Sequence, residues 1–185
     1  YYMIASTLAL AALFLLAEPI GRKEGGIAGL LAITAEAFAP FGDLLTPRAT
    51  PDRMINAGRC KRHHALATVE RAGGEAIISI FRSEAVSLPY DCTLLERHPL
   101  GSQAFYPVDG GRMLIVVAPP GDLDESQIRA FISTPDQGVN YARGTWHHPL
   151  LCLQHPGRFL VVDRGGEGHN CDEQLLKQPL SVDRK

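Results

Sequence analysis

The chain has 185 residues, a formal net charge of −2, and 45% hydrophobic and 21% charged residues, a length that suits one well-buried domain and is short for two. With a pI near 6.4 and Lys and Arg scattered along the chain, there is no basic field to attract nucleic acid. Cys60, Cys92, Cys152 and Cys171 stand far apart with no Cys-x-x-Cys pair, which argues against a zinc ribbon or a disulfide framework and for reduced thiols.

In chain order, the first feature is Met3 to Ala17, an apolar run of 15 residues, where a bilayer span takes roughly 20. It has the length of a signal-peptide hydrophobic region, but the first basic residues, Arg22 and Lys23, follow it instead of preceding it. An opening Tyr in place of Met suggests a reading frame with an upstream segment attached. Residues 1–26 are therefore read as an extension outside the globular fold and 27–185 as the domain. That domain is expected in the cytoplasm without stable membrane association; a signal peptide or anchor in 1–26 is the competing reading.

After Gly25-Gly26 the pattern changes to short β-like runs bounded by Gly-Gly, Pro-Gly and Asp-Gly signals: Ala65–Glu70, Ala76–Arg82, Cys92–Arg97, Gln103–Pro107, Met113–Ala118, Gly138–Ala142, Leu150–Gln154 and Phe159–Asp163. Met113–Ala118, "MLIVVA", is apolar throughout and belongs in a packed interior or between two covered faces. Two helical pieces are predicted as surface decorations. Thr34–Phe38 has a Thr cap, and Asp124–Ile132 places Ile128, Phe131 and Ile132 on one stripe behind an acidic start. Evenly spaced short strands with a few short helices predict a mainly β sandwich or barrel.

Two clusters carry chemistry. In "ERHPLGSQAFYP" (96–107), Glu96 and His98 are two apart and share a face on an extended strand; if "PLGSQ" reverses the chain, Gln103 returns beside them. In "ARGTWHHPL" (142–150), consecutive His147 and His148 face opposite ways, so at most one joins the first cluster. Glu-x-His, a short turn, Gln, and a later Gly-x-x-His is an order of groups that suits a metal, though structural histidines and ordinary ion pairs have the same spacing.

That order resembles the two-part signature of the cupins, small β-barrels of two packed antiparallel sheets. Glu96, His98, Gln103 and Gly110 match the first motif, and Ala142, Gly144 and His147 the second. Glu96 stands where the pattern has His, and Gln103 where it has Glu. The strings "FGDLL", "LERHPLGSQAF", "QGVNY", "WHHPL" and "VVDRGG" then "NCDE" resemble the ureidoglycolate lyase family, formerly called ureidoglycolate hydrolase, across residues 28 to about 176. The resemblance implies a cupin-type double-stranded β-barrel, a homodimer, and conversion of (S)-ureidoglycolate to glyoxylate and urea in allantoin and purine breakdown. It also implies nickel, and no organic cofactor. Relatives of this kind start near Ile27 or Gly29.

The implied reaction removes a hydroxyl proton, forms a carbonyl and expels urea, so it needs a base, an acid, a grip on the carboxylate and stabilisation of the developing alkoxide. Glu96, His98, Gln103 and His147 are candidate ligands for a divalent metal acting as Lewis acid. In a metal-free version His98 is the base and His147 the acid, and Glu96 is a third candidate catalytic residue. Arg82 is the candidate for the substrate carboxylate. Asn140 and Tyr141 are candidates for the ureido group, Gln103 for substrate binding, and Arg62 and His64 for a contribution at the barrel mouth or across a dimer interface. Two other readings compete: a non-catalytic cupin that binds a small carboxylate or ureide, and a different metal-dependent cupin enzyme.

Overall fold

A computed structural model describes residues 30–183; the apolar N-terminal run lies outside the described residues. In chain order the elements are β1 (Leu31–Ala32), α1 (Ala35–Phe38), β2 (Gly42–Leu45), β3 (Arg53–Ile55), β4 (Cys60–Arg62), β5 (Glu75–Ser83), β6 (Ala85–Val86), β7 (Tyr90–Arg97) and β8 (Gln103–Pro107). They continue with β9 (Arg112–Ala118), a 3-10 turn (Glu125–Gln127), β10 (Arg129–Ile132), β11 (Gly138–Tyr141), β12 (Trp146–His147), β13 (Leu151–Leu153), β14 (Gly157–Gly165) and β15 (Asp172–Val182). Among the described residues no helix is long and apolar enough to cross a membrane.

One sheet runs β1-β10-β9-β12-β7-β15, with β13 joining β9 to β6; the other runs β2-β11-β8-β14-β5; β3 and β4 form a separate hairpin. Phe105, Val139, Phe159 and Val161 of the five-stranded sheet pack with Met113, Ile115, Val117 and Phe131 of the larger sheet in one core. This is the expected cupin-type sandwich of two facing sheets, each a separate hydrogen-bonded unit. A second core joins Leu114, Val116 and Ala118 to Cys92, Leu95, Trp146, Leu176 and Leu180. Successive residues of β9 therefore bury on opposite faces, which is why "MLIVVA" is apolar at every position. Each fully buried side chain of this size contributes roughly 1.5–3 kcal/mol.

Three expectations are corrected. Asp124–Ile132 is not a helix: Asp124 caps the 3-10 turn through Ser126 N–H, and β10 follows. Ala130 packs into one core and Phe131 into the other, so the stripe that mimicked a helix belongs to a strand covered on both sides. Residues 65–70 do not form a strand. Ala65 has φ +49°, and the segment instead leads to a single bridge, Arg71 to Gly101. Thr34 does cap α1, but α1 is not a decoration, because Phe38 is fully buried against Phe41, Phe131 and Tyr141.

Candidate active site

The two motifs meet through backbone pairing. Glu96 near the end of β7 is the register partner of His147 on β12, and directly opposed residues of an antiparallel pair point to the same face. Gly144, at φ +79°, makes the turn before β12, and its N–H donates to His98 O at 3.0 Å. In the facing sheet Gln103 opposes Tyr141 across β8 and β11. Tyr141 lays its ring on His147 at 4.2 Å between centroids and 14° between planes, so the second sheet holds the imidazole flat.

Both imidazoles are oriented by main-chain carbonyls. His98 Nδ1–H donates to Asn170 O at 2.6 Å and His147 Nδ1–H to Thr145 O at 2.9 Å. A ring nitrogen facing a carbonyl must carry the hydrogen, so each Nε2 presents its lone pair when the ring is neutral. Those Nε2 atoms lie 3.9 and 3.4 Å from Glu96 Oε1. His98 Nε2, His147 Nε2 and Gln103 Oε1 are buried with no hydrogen-bond partner; the His147 approach to Glu96 is an ion-pair distance without hydrogen-bond geometry. Buried acceptors left bare are costly, and these three all belong to the two motifs that carry the candidate ligands.

Burial works against the charged form of Glu96, but His147, then His98, and the Cys171 thiol outweigh it and hold the carboxyl below its usual range. Burial pushes the Tyr141 hydroxyl up, with the Glu96 charge adding to it, so that hydroxyl stays protonated and able to donate. One ligand atom from each of Glu96, His98 and His147 lies within 4.8 Å of the others. Two imidazole lone pairs and a carboxylate, with an amide oxygen on the same site, form a donor set for a borderline divalent ion; the bare Nε2 atoms are the observation that makes the residues fit one.

Glu96 and Gln103 line a cavity of about 580 Å³ together with Phe81, Arg82, Ser83, Phe105, Pro149 and Leu150. That volume is in the range of small-molecule sites. Its lining includes the apolar Phe81 and Phe105, whose rings meet edge-to-face at 6.0 Å, and the polar Glu96, Gln103, Arg82 and Ser83.

A family model described as Ureidoglycolate lyase matches residues 29–183. The chain belongs to the ureidoglycolate lyase family. It is 57% identical over 149 residues to a ureidoglycolate lyase of Pseudomonas syringae pv. syringae (strain B728a), covering 79% of this chain and 88% of that one. It is 52% identical over 162 residues to one of Stutzerimonas stutzeri (strain A1501), covering 82% and 95%. A third, of Burkholderia mallei (strain NCTC 10229), is 49% identical over 150 residues, covering 80% and 88%. Among solved structures, RmlC from Streptococcus suis in complex with dTDP-D-xylose overlaps at a TM-score of 0.40 and 10% identity, over 74% of this chain and 56% of that one; the fold assignment rests on the two sheets themselves.

Of the residues singled out in the sequence, the structure brings Glu96, His98 and His147 into one cluster, Gln103 and Arg82 onto the same cavity as Glu96, and Tyr141 onto His147. It does not bring the rest. Asn140 points away from its neighbour Tyr141, and its amide donates to Asp43 Oδ2 at 3.0 Å and Thr68 O at 3.4 Å. Arg62 and His64 pair with each other at 2.8 Å at the β3–β4 hairpin, which contributes nothing to the cavity lining. His148 turns the other way from His147, toward the Tyr90 hydroxyl at 3.3 Å.

Three further residues of the candidate site escaped the sequence reading. Asn170 serves it twice, through its carbonyl on His98 and through Oδ1, which accepts Leu100 N–H at 2.8 Å. Thr145 orients His147 through its carbonyl. Cys171 reaches Glu96 Oε2 at 3.8 Å. The only signal for any of them was the string "NCDE"; the other contacts are made by backbone atoms, which carry no sequence signature.

Proposed function

We propose that this enzyme cleaves (S)-ureidoglycolate to glyoxylate and urea, as an amidine-lyase of cytoplasmic allantoin and purine breakdown, and works as a homodimer. The observation that carries the reading is the pair of bare, carbonyl-oriented Nε2 atoms facing Glu96 beside a cavity, in a member of this family.

Glu96, His98, His147 and Gln103 would hold the divalent ion, nickel by family likeness. When bound, such an ion supplies Lewis acidity toward the substrate hydroxyl and carboxylate. The chain's own groups do the rest. Arg82 is the cavity's cation and takes the substrate carboxylate through paired hydrogen bonds. Tyr141 and Gln103 address the ureido group, and Phe81, Phe105 and Leu150 exclude water, which strengthens every charge interaction inside.

Without an ion the same groups suffice for a balanced elimination. His98 Nε2 accepts the hydroxyl proton as the C=O forms and the C–N bond breaks. His147, protonated and paired with Glu96, gives its Nε2 proton to the leaving nitrogen. The rings are 5.2 Å apart between centroids, so one relay from His98 to His147 resets the site. No water is consumed. Asn140, Arg62 and His64 receive no substrate contact in this reading.

The test is the purified chain with racemic ureidoglycolate, with urea and glyoxylate measured. Equal release of both supports the lyase; no urea above background at micromolar enzyme sinks it. Ammonia and carbon dioxide in place of urea would make the enzyme an amidohydrolase on the same substrate.

A further inference from the structure

We infer that Asp163 is a further substrate-binding residue, whose carboxylate takes the N–H edge of a ureido group. The inference rests on the lyase reading for its substrate and adds what selects the ureido end.

Besides His98 Nε2, His147 Nε2 and Gln103 Oε1, two buried side-chain atoms among the described residues lack a hydrogen-bond partner: Asp163 Oδ1 and Arg164 Nη1. They are neighbours in β14 and do not satisfy each other, because successive residues of a strand point to opposite faces. Arg164 lies against Gly74 and Gly101, where its Nε donates to Ala72 O at 2.9 Å and its Nη2 to Glu167 O at 2.8 Å. Phe159 and Val161 point the other way, into the core shared with Phe105 and Tyr141. Asp163, two residues beyond Val161, follows them.

The register sets Asp163 beside the candidate site. β14 lies between β8 and β5. Val161 opposes Phe105 and Val162 opposes Ala104, so the next position brings Asp163 to the level of Gln103; on its other side it opposes Ile77 of β5. Gln103 in turn opposes Tyr141. The inner face of the five-stranded sheet thus carries Tyr141, Gln103 and Asp163 in a row across three strands. Gln103 and Phe105 of β8 and Phe81 of β5 line the cavity from both sides of β14, and Glu96 lines it from the facing sheet. Past Asp163 the chain crosses to Asn170, whose carbonyl orients His98.

The chemistry of the missing partner follows from the acceptor. An ionised carboxylate only accepts hydrogen bonds, and a buried oxygen with no donor is costly. Among the described residues Asp163 makes no ion pair and belongs to no group of three possible metal ligands. Its partner is a ligand that brings hydrogens of its own. The substrate carboxylate has none and is repelled; the hydroxyl has one, which goes to His98. The ureido group has two nitrogens whose N–H bonds run parallel on the edge away from its carbonyl. A carboxylate accepts such a pair through both oxygens, as it does with a guanidinium.

Two unreactive probes test this by calorimetry on the full chain. N-carbamoylglycine keeps the ureido and carboxylate groups and lacks the hydroxyl that elimination needs; N-acetylglycine has the same shape with a methyl in place of the terminal NH2. The parent chain is expected to prefer N-carbamoylglycine about 10- to 100-fold, the worth of a hydrogen bond to a charged group. Asp163→Asn should bind the two probes equally, bind glyoxylate as the parent does, and raise KM for ureidoglycolate more than it lowers kcat. A parent chain with no preference overturns the inference whether or not the variant folds. So does an Asp163→Asn chain that keeps the preference, or one that loses glyoxylate and N-carbamoylglycine alike with a lower melting temperature, which makes Asp163 structural. Binding is read without turnover. A preference in a chain that releases no urea sinks the lyase and keeps the ureido contact; urea release with no preference does the reverse.

Discussion

Glu96 and His147 oppose each other across β7 and β12, with His147 Nε2 3.4 Å from the Glu96 carboxylate. They are 51 positions apart in the chain, and their shared face exists only because β12 lies between β7 and β9. Everything in the candidate site is arranged around this pair: His98 on the same carboxylate, Tyr141 on the same imidazole, Gln103 and Arg82 on the adjoining cavity.

Glu96→Gln keeps the shape and removes the charge. It is expected to lower kcat about 10²- to 10⁴-fold, the scale of a lost acid-base or ligand group, and His147→Ala should do the same. Residues acting as a unit are not additive, so the double variant should fall little further. Steady-state rates of urea release check this, and a variant within a few-fold of the parent would remove Glu96 from the chemistry.

Chelation separates the two uses of the bare Nε2 atoms. If they bind a metal, exhaustive chelation should remove a divalent ion seen by elemental analysis together with the activity, and nickel should restore both; His98→Ala should bind less of it. Full activity with no detectable metal would assign the histidines to direct proton transfer.

Asn170→Ala loses the acceptor for Leu100 N–H and loosens the carbonyl that orients His98. A stability loss of about 1 kcal/mol is expected for the hydrogen bond, and a positioning role predicts in addition a fall in kcat and a shifted pH–rate profile. Asn170→Asp keeps an acceptor and should recover much of both. A change in melting temperature alone would make Asn170 purely structural.

Acid stability depends on Asp172. The hydrogen bond from Arg97 Nε at 2.8 Å holds its carboxyl below the ordinary 3.8. A depressed carboxyl stabilises the fold fully above its unfolded value and loses that contribution as pH falls through the folded one. The melting temperature should therefore drop on acidification below 3.8, and Asp172→Asn should flatten that part of the curve. Arg97→Ala should flatten it too and also lower stability at neutral pH, because Arg97 covers the Trp146 ring at 4.6 Å. An unchanged acid limb in Asp172→Asn would count against the pair.

Much of the sandwich was legible because burial imposes a period. Gln103–Pro107 and the central strands alternate or run apolar as their two faces require. Asp124–Ile132 misled because a strand buried on both sides places apolar residues at helix spacing as readily as a helix does. β15 was missed because an edge strand interrupted by Pro179 and charges carries no apolar period. Asn140 read as a site residue because it precedes the second motif, yet strand alternation turns it toward Asp43.

By itself the sequence determined which groups are available: a carboxylate, an amide, two imidazoles, and the motifs that identify the family. Side-chain chemistry and local alternation are properties of near neighbours, so they survive in one dimension. Tertiary structure decided which of those groups meet, which nitrogen of each histidine faces Glu96, and which carboxylate was left without a donor. Those outcomes depend on strand order and on backbone carbonyls from distant residues, and a carbonyl is the same atom whatever side chain it carries.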